Sequence, residues 1–406
     1  MTAPARAPSG VPACDVDPFG EEFLSDPFPG LAQIRAAGPA VHLPRYDVWA
    51  VAGYREVHAI LRDHDRFSSA PGVGLANLAT DPYGWRKPSL LLETDPPVHT
   101  GYRALVVGTM TPRALQAFGD LFQAEAERLV AELVRRQRFD AVTDLAEIFP
   151  TVVFPHALGI EGDTRERLLA YGALSFNAIG PRNHLLEQSV AAAEGALDWI
   201  AAQCRRSALR PGTIGAALYQ AAEAAGLPEA DTASLVRSLL SAGVDTTVSA
   251  LSFAIRDFAL WPDQWARVRA DPALARNAFE EVVRRESPVI GFFRTTTTEV
   301  VLGEATIPAG RKVLVFFAGA NRDPARWPQP GTFDVTRKTA GHVGYGAGPH
   351  VCAGMTIARL EGEAVIRALA RHVASIELDG DPELRLNNSL RGLRSLPIRV
   401  TPAPGL

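Results

Sequence analysis

The chain has 406 residues, 47% of them hydrophobic and 21% charged, with a formal net charge of −4. That composition supports a large buried core and excludes a collagen-like or low-complexity chain. The slight acidity argues against nucleic acid or an anionic membrane as the main partner, and three scattered cysteines (Cys14, Cys204, Cys352) fit a reducing cytoplasm rather than a disulfide scaffold.

Residues 1–16 are Ala- and Pro-rich without an apolar run and read as a short disordered leader, which leaves 17–406 as a single domain. Ala40–Leu43 and Val48–Ala52 read as a hairpin. Helical periodicity then dominates over Phe118–Arg138, Thr164–Tyr171 and Ser189–Arg206. From Pro228 no breaker occurs until Trp261-Pro262, which predicts one helix of about 33 residues, roughly 50 Å long. A helix that long and apolar on several faces must cross the middle of the protein. Asp263–Glu286 continues the helical pattern. Short strands are expected at Glu299–Leu302, Ala305–Ile307 and Lys312–Phe317, an irregular Pro-rich stretch at Asn321–Lys338, a helix over Cys352–His372 and a closing strand at Arg394–Val400. Many helices with small segregated sheets predict a mainly α fold of the α+β class. No apolar run approaches the roughly 20 residues of a membrane span, so a cytoplasmic monomer without membrane contact is expected.

Two segments break local rules in ways that suggest chemistry. In Gly344-Tyr-Gly-Ala-Gly-Pro-His-Val-Cys-Ala-Gly354, glycines allow tight turns ahead of a cysteine placed to open a helix, where backbone N–H groups and the helix dipole would stabilise a thiolate. An isolated cysteine is most often an inert core residue, and a dinucleotide loop would need a third glycine elsewhere. Midway along the long helix, Ala242-Gly243-Val244-Asp245-Thr246-Thr247 places poor helix formers together, which points to function or to a kink with hydroxyls bonded back to carbonyls. Glu281 and Arg284, at i and i+3, can pair on one helix face.

The cysteine segment resembles the haem-binding signature of the cytochrome P450 superfamily, matched by Tyr345, Gly346, Gly348, His350, Cys352 and Gly354, with Tyr345 where the family usually has Phe. The resemblance implies the single-domain P450 fold and haem b (iron protoporphyrin IX) ligated by Cys352, with Gly346 in its loop. It implies propionate contacts from His99, Arg103, Arg294 and His350. Gly243 would leave room for dioxygen, and Asp245 and Thr246 would deliver protons. Glu281 and Arg284 would form a buried pair that pins the Pro-rich stretch, with Arg337 replacing an arginine missing at Thr332. No flavin, nicotinamide or iron–sulfur motif is present, so electrons would come from an iron–sulfur ferredoxin with a separate NAD(P)H-dependent reductase. Arg62, Arg66, Arg103, Arg113 and Arg359 would contribute to its docking face.

The whole chain further resembles bacterial monooxygenases of para-substituted benzoic acids such as 4-methoxybenzoate. The likeness includes Tyr46-Asp-Val-Trp49, Gly72-Val-Gly-Leu75, Pro88-Ser-Leu-Leu-Leu-Glu93, Phe176-Asn-Ala178, Phe292-Phe-Arg-Thr-Thr-Thr297 and Leu386-Asn-Asn-Ser-Leu390. It implies O-demethylation or hydroxylation of a small aromatic carboxylate, held by Arg86, Ser89 and Ser238. Leu92, Phe176, Ile179, Ala242, Val289 and Phe292 would be apolar walls. Ile179 stands where the related sequences carry Phe, which would reshape the pocket near the para position. A terpenoid or macrolide substrate, a peroxide-driven haem enzyme and a non-catalytic haem sensor are the alternatives.

Overall fold

The computed structural model describes residues 12–80, 87–162 and 165–404. Its centre is the expected long helix, but the helix is interrupted. Pro228 (φ −60°, ψ 144°) is the cap rather than the first helical residue. The chain then runs as Glu229–Gly243, breaks at Val244 (φ −102°, ψ −70°) and resumes as Asp245–Leu260. At the break the hydroxyls of Thr246 and Thr247 turn back on the carbonyls of Ala242 (2.8 Å) and Gly243 (3.5 Å), a habit that bends helices. Among the described residues, Glu229–Leu260 is the one segment apolar and long enough to cross a membrane, and its most apolar window is 72% buried, as a core helix requires.

Other helices follow from local signals. Pro112–Arg136 begins earlier than the expected Phe118, because Thr111 accepts a hydrogen bond from the Ala114 N–H at 3.2 Å and Pro112 fits the first turn. It packs along Met355–His372, and Phe122, Leu129, Val130, Ile357, Val365 and Leu369 join one buried cluster. Two expected helices are divided. Ser189–Arg206 becomes His184–Ala192 and Ala196–Gln203, parted at Gly195, whose φ of 75° leaves the helical region. Asp263–Glu286 becomes Pro262–Ala270 and Ala275–Glu286, because Asp271 precedes Pro272 and is driven out of the α region.

Among the described residues, four small sheets stand apart from the helices. The largest has five strands in the order Val41–Leu43, Val48–Val51, Lys312–Phe316, Gly291–Thr296, Phe67–Ser68, with Trp49 paired to Val313 in its one parallel ladder. The inner strand Gly291–Thr296 was not expected; it is buried along almost its whole length and so lacks the alternation that betrays a half-exposed strand. Gly392–Ser395 and Pro397–Pro402 replace the single closing strand. Residues 12–16, expected in the leader, join the fold: Ala13 bridges to His42, and the Cys14 N–H donates to the His42 carbonyl at 3.0 Å.

Candidate active site

Cys352 lies two residues before the cap of its helix instead of opening it. The helix starts at Met355 with Gly354 as cap, so the chain makes one more turn after the cysteine. This placement keeps the benefit foreseen for a helix start: the N–H groups of Gly354 and Met355 bond the sulfur and oppose the upward push that burial gives the thiol pKa. The Cys352 N–H donates to the Tyr345 carbonyl at 2.8 Å, which closes the loop. Gly348 at φ 68° has no alternative, since a Cβ there would meet the Leu61 carbonyl oxygen at 2.3 Å. The Tyr345 hydroxyl donates to Glu280 Oε1 at 3.2 Å, and Arg359 grips both Glu280 oxygens at 2.8 and 2.7 Å.

That loop is anchored from below. Glu281 and Arg284 are fully buried, bonded at 2.7 and 2.9 Å. Arg337 completes the trio at 2.9 Å from Glu281 Oε1. Arg284 also donates to the carbonyls of Asn321 (2.7 Å) and Pro330 (3.0 Å), while the Asn321 side chain accepts from the Val343 N–H at 2.8 Å. A line of directional bonds thus runs from the ion pair through Asn321 into the segment that carries Cys352. Two buried charges survive here because each is paired and further hydrogen-bonded, all three guanidinium nitrogens of Arg284 and both carboxylate oxygens of Glu281 having partners.

Above the sulfur opens a cavity of about 790 Å³, lined at this end by Arg103, Arg294, Gly346, His350 and Cys352. His99 touches His350 (ring centroids 4.1 Å apart) rather than the cavity. His350 Nδ1 donates to the Leu91 carbonyl at 3.2 Å, and Nε2 of both His350 and His99 is buried without a partner. Burial, then Arg294 and His99, push the His350 imidazole down to about 3; burial holds Arg294 down to about 10. Among the described residues neither Arg103 nor Arg294 forms an ion pair. Buried cations and orphaned imidazole nitrogens beside a cysteine sulfur fit a metal macrocycle that carries carboxylates, which is haem's description. Of the arginines foreseen as a docking face, Arg103 faces this cavity, Arg359 is held by Glu280 and Arg66 by Asp63, so those three are not free surface charges.

The long-helix residues separate. Ala242, Gly243, Thr246 and Thr247 line the cavity, whereas Asp245 does not. Its carboxylate is fully buried on the far side of the break, 3.8 Å from Arg385 and without a hydrogen bond. Burial raises its pKa to about 6, with Arg385 opposing and Glu147 adding to the rise. A Cβ on Gly243 would meet the Phe154 ring at 2.2 Å, so close packing of the helix Ile148–Leu158 already demands glycine there. Sequence reasoning missed Glu361. It is 1% exposed, lines the cavity and accepts from the Thr247 hydroxyl at 3.0 Å, and burial pushes its carboxyl up to about 8. Its spacing from Ile357, Ala364 and Val365 puts a carboxylate on the buried stripe of its helix, a signal available from periodicity alone.

Every described residue expected to touch substrate reaches the same cavity: Ser89, Leu92, Phe176, Ile179, Ser238, Ala242, Val289 and Phe292. Arg86 lies outside the described residues. Ser89 and Ser238, 149 positions apart, bring their hydroxyl oxygens to 3.0 Å. Ser238 donates to the Ser234 carbonyl at 2.9 Å, so Ser89 is the donor between the two.

The comparisons with known proteins agree with this geometry. The family model "Cytochrome P450" matches residues 202–400. Cytochrome p450 CYP199A2 of Rhodopseudomonas palustris is 48% identical over 404 residues, 99% of this chain and 98% of its own length. Cytochrome P450 monooxygenase PikC of Streptomyces venezuelae is 33% identical over 96% of this chain and 94% of its own. Among solved structures, cytochrome P450 CREJ in complex with (4-ethylphenyl) dihydrogen phosphate matches at TM-score 0.85 and 25% identity, covering 95% of this chain and 99% of that one. The Tepidiphilus thermophilus P450 heme domain matches at TM-score 0.84 and 25% identity, over 95% and 97%. With the thiolate loop, its buried anchor and near full-length similarity all in agreement, the chain belongs to the cytochrome P450 family and is a monooxygenase that uses haem b.

Proposed function

We propose that the enzyme oxidises para-substituted benzoic acids, removing a methyl group from a para-methoxy substituent or hydroxylating a para-alkyl one. The observation that carries this is the meeting of Ser89 and Ser238 at 3.0 Å in a cavity whose apolar walls include Leu92, Phe176, Ile179, Ala242, Val289 and Phe292. A carboxylate in an apolar cavity is tolerable only with donors of its own. Lys87, Arg205 and Arg237 also line the cavity, alongside Glu93 and Asp198; Arg86, in the adjoining segment, would be the third anchor. The resemblance to benzoate monooxygenases supports the same reading, as does a fold neighbour whose bound ligand is a para-substituted aryl anion. Because the cavity's 790 Å³ includes the end beside Cys352 that haem takes, what remains suits a small aromatic acid better than a macrolide.

Cys352 would hold the iron, and His99, Arg103, Arg294 and His350 the propionates. Bound there, haem supplies the oxidising chemistry, with one atom of dioxygen entering the substrate and the other leaving as water. With both hydroxyls re-aimed from their present acceptors, Ser238 and the Ser234 carbonyl, the two serines fix the carboxylate end of the substrate and so aim the para substituent at the cysteine end, which gives regioselectivity by position. Asp245, near the partly exposed Arg385, takes up protons on the outer side of the helix break, and Thr246 offers them on the cavity side. Electrons come from an iron–sulfur ferredoxin served by a separate NAD(P)H-dependent reductase, and the protein works as a cytoplasmic monomer. The test is turnover of 4-methoxybenzoate with a ferredoxin, its reductase and NADH. Equal amounts of 4-hydroxybenzoate and formaldehyde are expected. Faster product formation with hydrogen peroxide alone would instead establish a peroxide-driven enzyme.

A further inference from the structure

The sequence segments Phe176-Asn-Ala178 and Leu386-Asn-Asn-Ser-Leu390 are brought together by the fold, and substrate chemistry does not explain their polar residues. Asn177, Asn387, Asn388 and Ser389 are each 3–4% exposed, a costly set of buried amides and a hydroxyl unless all are paired. They are paired. The Asn388 side chain donates to the Asn177 carbonyl (2.9 Å) and to Asn183 Oδ1 (3.1 Å), and accepts from Asn183 Nδ2 (2.9 Å). Ser389 Oγ donates to the Phe176 carbonyl at 2.7 Å, and Asn387 Nδ2 to the Ala173 carbonyl at 3.2 Å.

The pattern of acceptors is informative. Phe176 and Asn177 lie in the last turn of the helix Arg165–Asn177, where carbonyls have no partner within the helix, and Ala173 lies just before that turn. Two consecutive residues from a segment more than 200 positions away, Asn388 and Ser389, therefore cap that helix end, and Asn387 grips the chain just before it. Phe176 belongs to the capped turn and Ile179 follows it; both are cavity walls. The same tripeptide is tied to a second wall, since the Ser389 carbonyl accepts from the Ile290 N–H at 2.9 Å and Leu390 bridges to Val289. Ile179 is gripped on its other side by the Leu75 N–H, 2.8 Å from its carbonyl. Apolar packing alone would let these walls slide; directional bonds fix their separation.

We propose that Asn387, Asn388 and Ser389 are specificity-determining positioning residues, a tie that caps the helix Arg165–Asn177 from a distance and sets the spacing between the Phe176–Ile179 wall and the Val289–Phe292 wall. The tie acts through those walls and touches neither substrate nor haem. It is independent of which acid the enzyme oxidises.

The test compares two ligands that bind haem iron in the holoenzyme, imidazole, too small to press on the walls, and 4-phenylimidazole, which must lie between them. Dissociation rates are read from the Soret band by stopped flow. Asn388→Ala should speed 4-phenylimidazole release about tenfold, the loss of about one buried hydrogen bond's worth of restraint, while imidazole release changes less than about twofold. Ser389→Ala, which removes a single bond to the Phe176 carbonyl, should act in the same direction more weakly and serves in place of Asn388→Ala if that variant does not fold. Equal changes for both ligands, or lower thermal stability with no change in the ratio of their rates, would reduce the cluster to a structural support and overturn the proposal.

Discussion

Asp245 offers a prediction whose size follows from its surroundings. Its carboxyl is fully buried, has no hydrogen bond and faces only Arg385 at 3.8 Å, with Glu147 as the nearest like charge that matters. Burial moves its pKa from 3.8 to about 6, so the folded protein favours the neutral acid. The unfolded chain gives up this proton first as pH rises. Stability that is complete below the unfolded value is therefore lost through the window between 3.8 and about 6, to a total on the order of 3 kcal/mol. Roughly half is already gone at pH 5, which leaves a further loss of between about 1 and 2 kcal/mol from pH 5 to pH 8. Asp245→Asn cannot ionise, and whatever its amide costs is the same at every pH. For a chain of this size the Tm of Asp245→Asn relative to the parent should rise by about 1–2 °C from pH 5 to pH 8 in scanning calorimetry. A difference that stays flat across that range would refute the reasoning, because it would mean that the carboxyl is solvated or paired.

Arg284→Ala should cost about 3–5 kcal/mol, since it strands Glu281 at 0% exposure with Arg337 as its remaining charge partner, and haem retention after gel filtration should fall with it. Gly243→Ala should destabilise by about 1–3 kcal/mol in urea unfolding, because the new methyl group meets the Phe154 ring. Ile179→Phe should shrink the cavity and slow turnover of 4-ethoxybenzoate more than that of 4-methoxybenzoate; equal effects would place residue 179 away from the para substituent.

Much of the site was legible in the residues because its chemistry is local. The Gly-rich run before Cys352, the Asp245–Thr246 pair and the Glu281–Arg284 spacing each break or satisfy a rule within one or two turns. Ser89 and Ser238 were readable only through resemblance, since nothing local says that residues 149 positions apart will meet. Arg337 as third partner of Glu281 was readable in the same way. What escaped depends on tertiary placement. The break at Val244, with Thr246 bonded back to Ala242, was one of the readings the segment itself offered, but that Asp245, off the face turned to the cavity, would be buried opposite Arg385 depends on a strand far along the chain. The strand Gly291–Thr296 hides because both its faces are buried. The capping role of Asn388 is invisible until its segment lies against the end of a helix far away in the chain.

The substrate reading stands or falls on whether the cavity wants a carboxylate. Titration of the ferric holoenzyme with 4-methoxybenzoate and with its methyl ester, followed at the Soret band, measures this directly. Tight binding of the acid is expected, with the ester weaker by at least about tenfold and Ser238→Ala narrowing that gap, as the loss of a hydrogen bond to a charged group worth about 1.5–3 kcal/mol requires. Equal affinities for acid and ester, unchanged in Ser238→Ala, would contradict it.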